Sequence, residues 1–430
     1  MGHTLAEKIL MRNTGSKSLH PGDIVITKPD MVLFLDIYAP FVYHQFKEMG
    51  FKKVFNPDQI AIVDDHELPT CLKDDPRSVS FSHKFAEEFG IRNHYIAQGI
   101  GHQLVPELRL ARPGSVIYVT DSHTTTYGAV GAFATGVGYT EMASVLGTGK
   151  MWARVPAAIK IQIDGELPLG VYSKDVILRI LGDLKADGGT YRSLEFCGTT
   201  IDAMSVDARL TISNMAVECG AKVGLFAPDA KTCEYSGTSP EETAWLHFDS
   251  DVFYEKTLHY DAAKFVPNLS CPQFVDNVHP VAEKEGLEVN QIFLGSCTNG
   301  RLEDLAIAAK ILEGRHVPPR VKFIVTPASV GIYKNALKTG YIQTLVRAGA
   351  VVTHPYCSLC QGRGSGLLSD GEVVLGTNNR NFLGRMGAAK SLIFLGSPAT
   401  IAVSALTGKI TDPREYLEKL SGTDALPRAL

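Results

Sequence analysis

The sequence predicts an α/β chain whose mostly parallel sheets carry helices on both faces. Short apolar runs of strand character, among them Met31–Leu35, Ile60–Val63, Val116–Val119 and Ile292–Leu294, alternate with longer helical patterns. The runs are apolar throughout, as strands covered on both faces require. Several of them end at once in polar, chemically active words, and open α/β sheets place their ligands at the carboxyl ends of parallel strands.

Composition bounds the rest. With 430 residues, 45% hydrophobic and 20% charged, the chain can bury a large core and is expected to form several domains. A net charge of −4 gives no electrostatic basis for a nucleic-acid or membrane surface. Eight irregularly spaced cysteines do not form a disulfide framework, so a reduced, cytoplasmic setting is expected. The opening Met1–Ala6 has no apolar stretch of the kind a secretory signal needs, and no apolar run reaches the ~18 residues of a membrane span.

In chain order, Leu5, Ile9 and Leu10 mark a first helix, and Pro21-Gly22-Asp23 turns into Ile24–Ile26. The strand Met31–Leu35 precedes a helix running from Val42 to Met49. The strand Ile60–Val63 ends at Asp64-Asp65-His66, with a helix around Ser80–Phe89 beyond it. His102 stands in a glycine-flanked turn, Gly99-Ile100-Gly101-His102-Gln103, and Val116–Val119 exits into Thr120-Asp121-Ser122-His123-Thr124.

Gly128–Gly149 is rich in small residues but lacks the order of a dinucleotide-binding turn. A P-loop is excluded by Ser144 and Met151, so close packing is the reading of this stretch. Val155-Pro156 marks a boundary, followed by the alternating strand Ile159–Ile163 and helices at 174–184 and 207–220. The segment Val266–Pro272 reads as a linker. The expected domains are therefore 1–156, 157–270 and 271–430.

The chemistry concentrates in strand-exit loops. Cys357 and Cys360 form a Cys-x-x-Cys pair, and Cys297 could supply a third thiolate. Three thiolates suit an iron–sulfur cluster with one iron free of protein ligand, whereas a structural zinc site takes four ligands. Spacing alone leaves a redox pair or buried packing cysteines equally open. A partly exposed loop at a helix start would lower the pKa of Cys297. Cys71, Cys197, Cys219, Cys233 and Cys271 lack such neighbours and read as packing residues. Asp121 and His123 would project to one side of an extended segment, as carboxylate–imidazole pairs that transfer protons do. Asn214 and Glu218 lie four apart, on one helix face. Arg380 and Arg385 follow the strand Val373–Leu375, and arginines in this position suit a di-acid.

Three words in this order, Gly295-Ser296-Cys297-Thr298-Asn299-Gly300-Arg301, Cys357-Ser358-Leu359-Cys360 and Asn379-Arg380-Asn381-Phe382-Leu383-Gly384-Arg385, resemble motifs of the aconitase family. Within it the chain is most similar to the large subunits of 3-isopropylmalate dehydratases and their homoaconitase-like and dimethylmalate dehydratase-like relatives. The resemblance runs from Leu5-Ala6-Glu7-Lys8-Ile9 to Thr411-Asp412-Pro413-Arg414. It implies three-layer α/β/α domains with one [4Fe-4S] cluster at their interface, ligated by Cys297, Cys357 and Cys360. Asp65, His66 and Asp121 then match the group that assists departure of a substrate hydroxyl. Ser122 and His123 would lie beside substrate or cluster, and His102, Asn214 and Glu218 would face the same site. Asn379, Arg380 and Arg385 match substrate contacts.

The implied activity is a hydro-lyase acting on a substituted malate, with 3-isopropylmalate of leucine synthesis the first choice. The alternatives are 2,3-dimethylmalate, homoaconitate, or an iron sensor that binds RNA in its apo form. A separate small subunit carrying a swivelling domain and the general base is expected as partner. Two words depart from the pattern. Leu35-Asp36 stands where His-Asp is usual, which would make a polar wall apolar, and Gly376-Thr377-Asn378 stands where Ser-Thr-Ser is usual.

Overall fold

The computed structural model describes residues 2–70 and 75–420, so Cys71 lies outside the described residues. Three sheets follow one another along the chain. An antiparallel ribbon of β1 (Ile24–Thr27) and β7 (Met151–Arg154) brackets the first of them. That sheet is wholly parallel, in the order β4-β3-β2-β5-β6, with β2 (Met31–Leu35), β3 (Ile60–Asp64), β4 (Asn93–Ile96), β5 (Val116–Val119) and β6 (Phe133–Gly136).

The second sheet, also parallel, runs β10-β9-β8-β11 through β8 (Ala157–Asp164), β9 (Arg192–Cys197), β10 (Val223–Phe226) and β11 (Lys256–Asp261). The third has seven strands, β13-β12-β18-β17-β14-β15-β16. It contains β12 (Asn268–Ser270), β13 (Val278–Pro280), β14 (Gln291–Gly295), β15 (Lys322–Thr326), β16 (Val351–Val352), β17 (Val373–Gly376) and β18 (Leu392–Leu395). In it β12 runs antiparallel to both its neighbours, β13 and β18, and the other pairs are parallel.

Every residue of β2, β3 and β14 is buried, which accounts for their unbroken apolar character. Alternation along them separates two cores. Val32, Phe34, Ile60 and Ile62 pack outward against the helices Leu5–Thr14, Ala39–Glu48 and Tyr139–Thr148. Leu33, Leu35, Ala61 and Val63 face inward and join one cluster with Ile161, Phe196, Phe293 and Ile324 of the other two sheets. The strand-exit loops that carry the polar words open from this shared interior.

The first helix shows how separate parts of the chain are tied. Thr4 and Glu7 form a reciprocal capping box, and Gly15 closes the helix at φ 72°. The free amides of Leu5 and Ala6 donate, each at 3.2 Å, to Glu195, a fully buried carboxylate of β9. The small-residue stretch is indeed a packing device. A Cβ on Gly128 would lie 1.9 Å from the Gly224 carbonyl of β10. Among the described residues, no helix is long and apolar enough to cross a membrane.

Candidate active site and cluster-ligand cradle

Each loop enters the site by a distinct local device. At the end of β3, Asp65 Oδ1 meets His66 Nδ1 at 2.5 Å, while its Oδ2 accepts the Gly101 amide at 2.7 Å. That second bond fixes the start of the helix Gly101–Glu107, so His102 sits in the first turn of a helix rather than in a free glycine turn. Asp121 does not reach His123 by strand alternation, as the sequence reading expected. It caps the 3-10 turn Ser122–Val130, accepting the His123 amide at 2.8 Å, and takes His102 Nε2 on the same oxygen at 2.7 Å. Ser122 opens that turn, half-buried beside Asp121.

The helix expected over 207–220 is α-helical only over Val206–Met215 and tightens to a 3-10 turn at Ala216–Cys219. Asn214 and Glu218 nonetheless both face the site. Glu218 bridges two partners: Oε1 lies 2.8 Å from His123 Nε2, and Arg380 Nε donates to the same carboxylate at 2.9 Å.

The three cysteines converge. Asn214 Nδ2 donates to the Cys297 sulfur at 3.2 Å and Asn379 Nδ2 to the same sulfur at 3.4 Å, while Asn379 Oδ1 lies 3.2 Å from the Cys360 sulfur. One carboxamide thus spans Cys297 and Cys360. Both loops hold a non-glycine residue in the left-handed region, Ser296 at φ 75° and Ser358 at φ 60°. Such strain persists where the surroundings over-determine it. The other cysteines behave as expected: Cys219, Cys233 and Cys271 are buried, and Cys197 is half-buried.

Electrostatics divide the groups by role. Burial opposes protonation of His66, but Asp65, Asp36 and Asp121 outweigh it and raise its pKa to about 9. Burial likewise opposes ionisation of Asp121, yet His102 and His123 hold its carboxyl well below the usual range. Glu218 is lowered against its burial by His123 and Arg380. Cys297 does not have the lowered pKa expected at a helix start. Its helix, Ser296–Asn299, is a single turn, and burial pushes the thiol up to about 12. In the Cys-x-x-Cys pair the neighbouring Cys357, with Arg385 and His123, pulls the Cys360 thiol down to about 5. Arg385 also donates to the Cys360 carbonyl at 2.7 Å.

Sequence reasoning missed several supporting groups. Asp36, fully buried, accepts the amides of His66 at 3.1 Å and Glu67 at 2.8 Å and so shapes the turn after β3. Leu35 beside it is fully buried against Gly101, so it forms no wall open to a ligand. Lys174, with no exposed surface, donates to the carbonyls of Thr377 at 2.9 Å and Asn378 at 2.7 Å, the residues leading into Asn379. Arg301, also buried, donates to the Cys297 carbonyl at 2.6 Å. Asp36 and Lys174 act across long sequence separations, whereas Arg301 closes back on its own motif, four residues from Cys297.

This arrangement agrees with the comparisons. Residues 7–408 match the family described as Aconitase family (aconitate hydratase). The chain belongs to the aconitase family. It is 45% identical over 422 residues to the 3-isopropylmalate dehydratase large subunit 1 of Methanopyrus kandleri, covering 97% of this chain and 100% of the relative. It is also 45% identical to the 3-isopropylmalate dehydratase large subunit 2 of Archaeoglobus fulgidus, with coverage of 97% and 100%. The probable methanogen homoaconitase large subunit of Methanothermobacter thermautotrophicus is 44% identical, with coverage of 96% and 97%.

Aconitase-family enzymes use iron–sulfur clusters, and the residues present fit one. The amide donors of Asn214 and Asn379 aimed at Cys297 are the kind of hydrogen bond that cluster thiolates accept.

Proposed function

We propose that this chain is the large subunit of an iron–sulfur hydro-lyase that removes and re-adds water on a substituted malate, with 3-isopropylmalate the first substrate. The observation that carries the reading is the meeting, in one interior, of three cysteines, three carboxylate–imidazole pairs and two arginines from three sheets. Domains 1–156, 157–270 and 271–430 would each contribute part of it. The names of the relatives supply the substrate.

Cys297, Cys357 and Cys360 would hold one [4Fe-4S] cluster, which when bound supplies Lewis acidity toward a poor hydroxyl leaving group. The chain's own residues provide the rest. His66, kept protonated by Asp65, and the Asp121–His102 pair stand ready to give a proton to the departing hydroxyl. His123, held by Glu218, lies beside them. Arg380 and Arg385 orient the two carboxylates, with Ser122 and Asn379 as further polar contacts. Asn214 fixes the position of Asn379, accepting its Nδ2 at 3.2 Å.

A general base for the carbon-bound proton is expected on a separate small subunit with a swivelling domain, in keeping with the words "large subunit" in the relatives' names. A cytoplasmic setting suits the free cysteines. Homoaconitate is the second substrate reading, favoured by the homoaconitase-named relative of nearly equal identity.

The test is to load the chain with iron and sulfide and assay it alone and with its small subunit against a panel of substituted malates. Turnover confined to the pair, and fastest on 3-isopropylmalate, is expected. Full turnover by the chain alone would overturn the shared-site reading.

A further inference from the structure

β3 ends on two adjacent acids that serve different partners. Asp65 enters the site described above. Asp64 turns instead to His83, on the helix Asp75–Phe89, and to His94, on β4. His94 Nε2 lies 2.9 Å from Asp64 Oδ2, and His83 Nε2 lies 3.8 Å from the same oxygen. The three ligand atoms all fall within 4.8 Å of one another, and the imidazoles stand edge to face with centroids 4.9 Å apart. The Asp64 side chain is fully buried, and its Oδ1 has no hydrogen-bond partner.

We propose that Asp64, His83 and His94 form a binding site for a divalent transition metal, zinc by preference, separate from the cluster cradle. The donor set is two imidazole nitrogens and a carboxylate, which zinc accepts and an iron–sulfur cluster does not ordinarily use. For metal–ligand bonds of about 2.0–2.1 Å in a tetrahedron, ligand atoms stand roughly 3.3 Å apart. The two observed separations bracket that value.

An ion pair between Asp64 and His94 alone would not explain the second imidazole turned to the same oxygen. A fully buried carboxylate flanked by two imidazoles is costly in its charged form without a cation, and a metal on Oδ2 meets that cost. His83 is 45% exposed at its side chain, which leaves a path for the ion and room for water as a fourth ligand. Bound there, the metal would staple the helix Asp75–Phe89 to β3 and β4 directly behind the Asp65–His66 turn.

The experiment uses protein with its cluster assembled under anaerobic conditions, so that the three site thiolates are occupied. Equilibrium dialysis against zinc chloride, with metal analysis, is expected to give one zinc per chain. The zinc-edge X-ray absorption should show nitrogen and oxygen neighbours near ~2.0–2.1 Å and no sulfur shell near ~2.3 Å. His83→Ala and His94→Ala should each weaken zinc binding by roughly tenfold or more, with the iron content unchanged. Zinc should raise the melting temperature of the parent protein and not of the variants. His83→Ala alters a half-exposed side chain, and it decides the matter if His94→Ala fails to fold. Absence of zinc at micromolar concentration, a sulfur shell, or undiminished binding by His83→Ala would each overturn the site.

Discussion

The backbone amide of Cys357 donates to the carbonyl of Asp65 at 2.7 Å. The proposed cluster loop and the Asp65–His66 turn are therefore two ends of one hydrogen bond, although nearly three hundred residues separate them in sequence. If the thiolates lose their metal, the turn loses its support. Removing iron with a chelator should raise amide hydrogen exchange in 357–366 and in 65–67 together. Unchanged protection at 65–67 would show that the bond transmits nothing.

Asp121 takes both His102 and the His123 amide on one oxygen. Asp121→Asn keeps the cap but places a neutral group against His102. kcat should fall by roughly 10²–10⁴-fold, as for loss of a proton-transfer group, with KM and iron content little changed. A comparable rise in KM would mean that Asp121 binds substrate instead.

Arg380 is pinned by Glu218 through Nε. Arg380→Lys cannot offer a planar edge to both Glu218 and a ligand. Loss of a charge-assisted bond worth about 1.5–3 kcal/mol should lower kcat/KM roughly 10–100-fold, mainly through KM. Steady-state kinetics of the two-subunit enzyme measure this directly.

Glu195 predicts a pH effect on stability. Burial raises its pKa to about 7 despite the amides of Leu5 and Ala6 and the hydroxyls of Ser193 and Tyr254, whereas the unfolded chain has the ordinary value of 4.5. The folded state thus holds the proton more tightly. This contribution is fully present below pH 4.5 and is lost as pH rises through 7, amounting to about 3 kcal/mol. Denaturant titrations across that window should show the loss in the parent protein and not in Glu195→Gln. Parallel curves would place the proton elsewhere.

The strand exits were legible because an unbroken apolar run that ends in Asp-His, Asp-Ser-His or Ser-Cys has few other readings in a parallel sheet. Which exits meet was not legible. Cys297 and the Cys-x-x-Cys pair are joined through Asn379, and no periodicity encodes that contact. Local geometry was misread where a cap or a 3-10 turn replaced regular structure, at Asp121 and at Glu218. Lys174 was invisible because a lysine in a helical pattern ordinarily signals the solvent side, yet it is fully buried. The thiol of Cys297 was misjudged because burial outweighs the weak field of a one-turn helix.

Glu218 occupies the Nε side of Arg380, and no protein group among the described residues bonds its two terminal nitrogens. Under the proposed function a di-acid would therefore meet Arg380 at its terminal nitrogens alone, the guanidinium being already held at Nε. Its orientation would then be set by this chain before any partner closes over it.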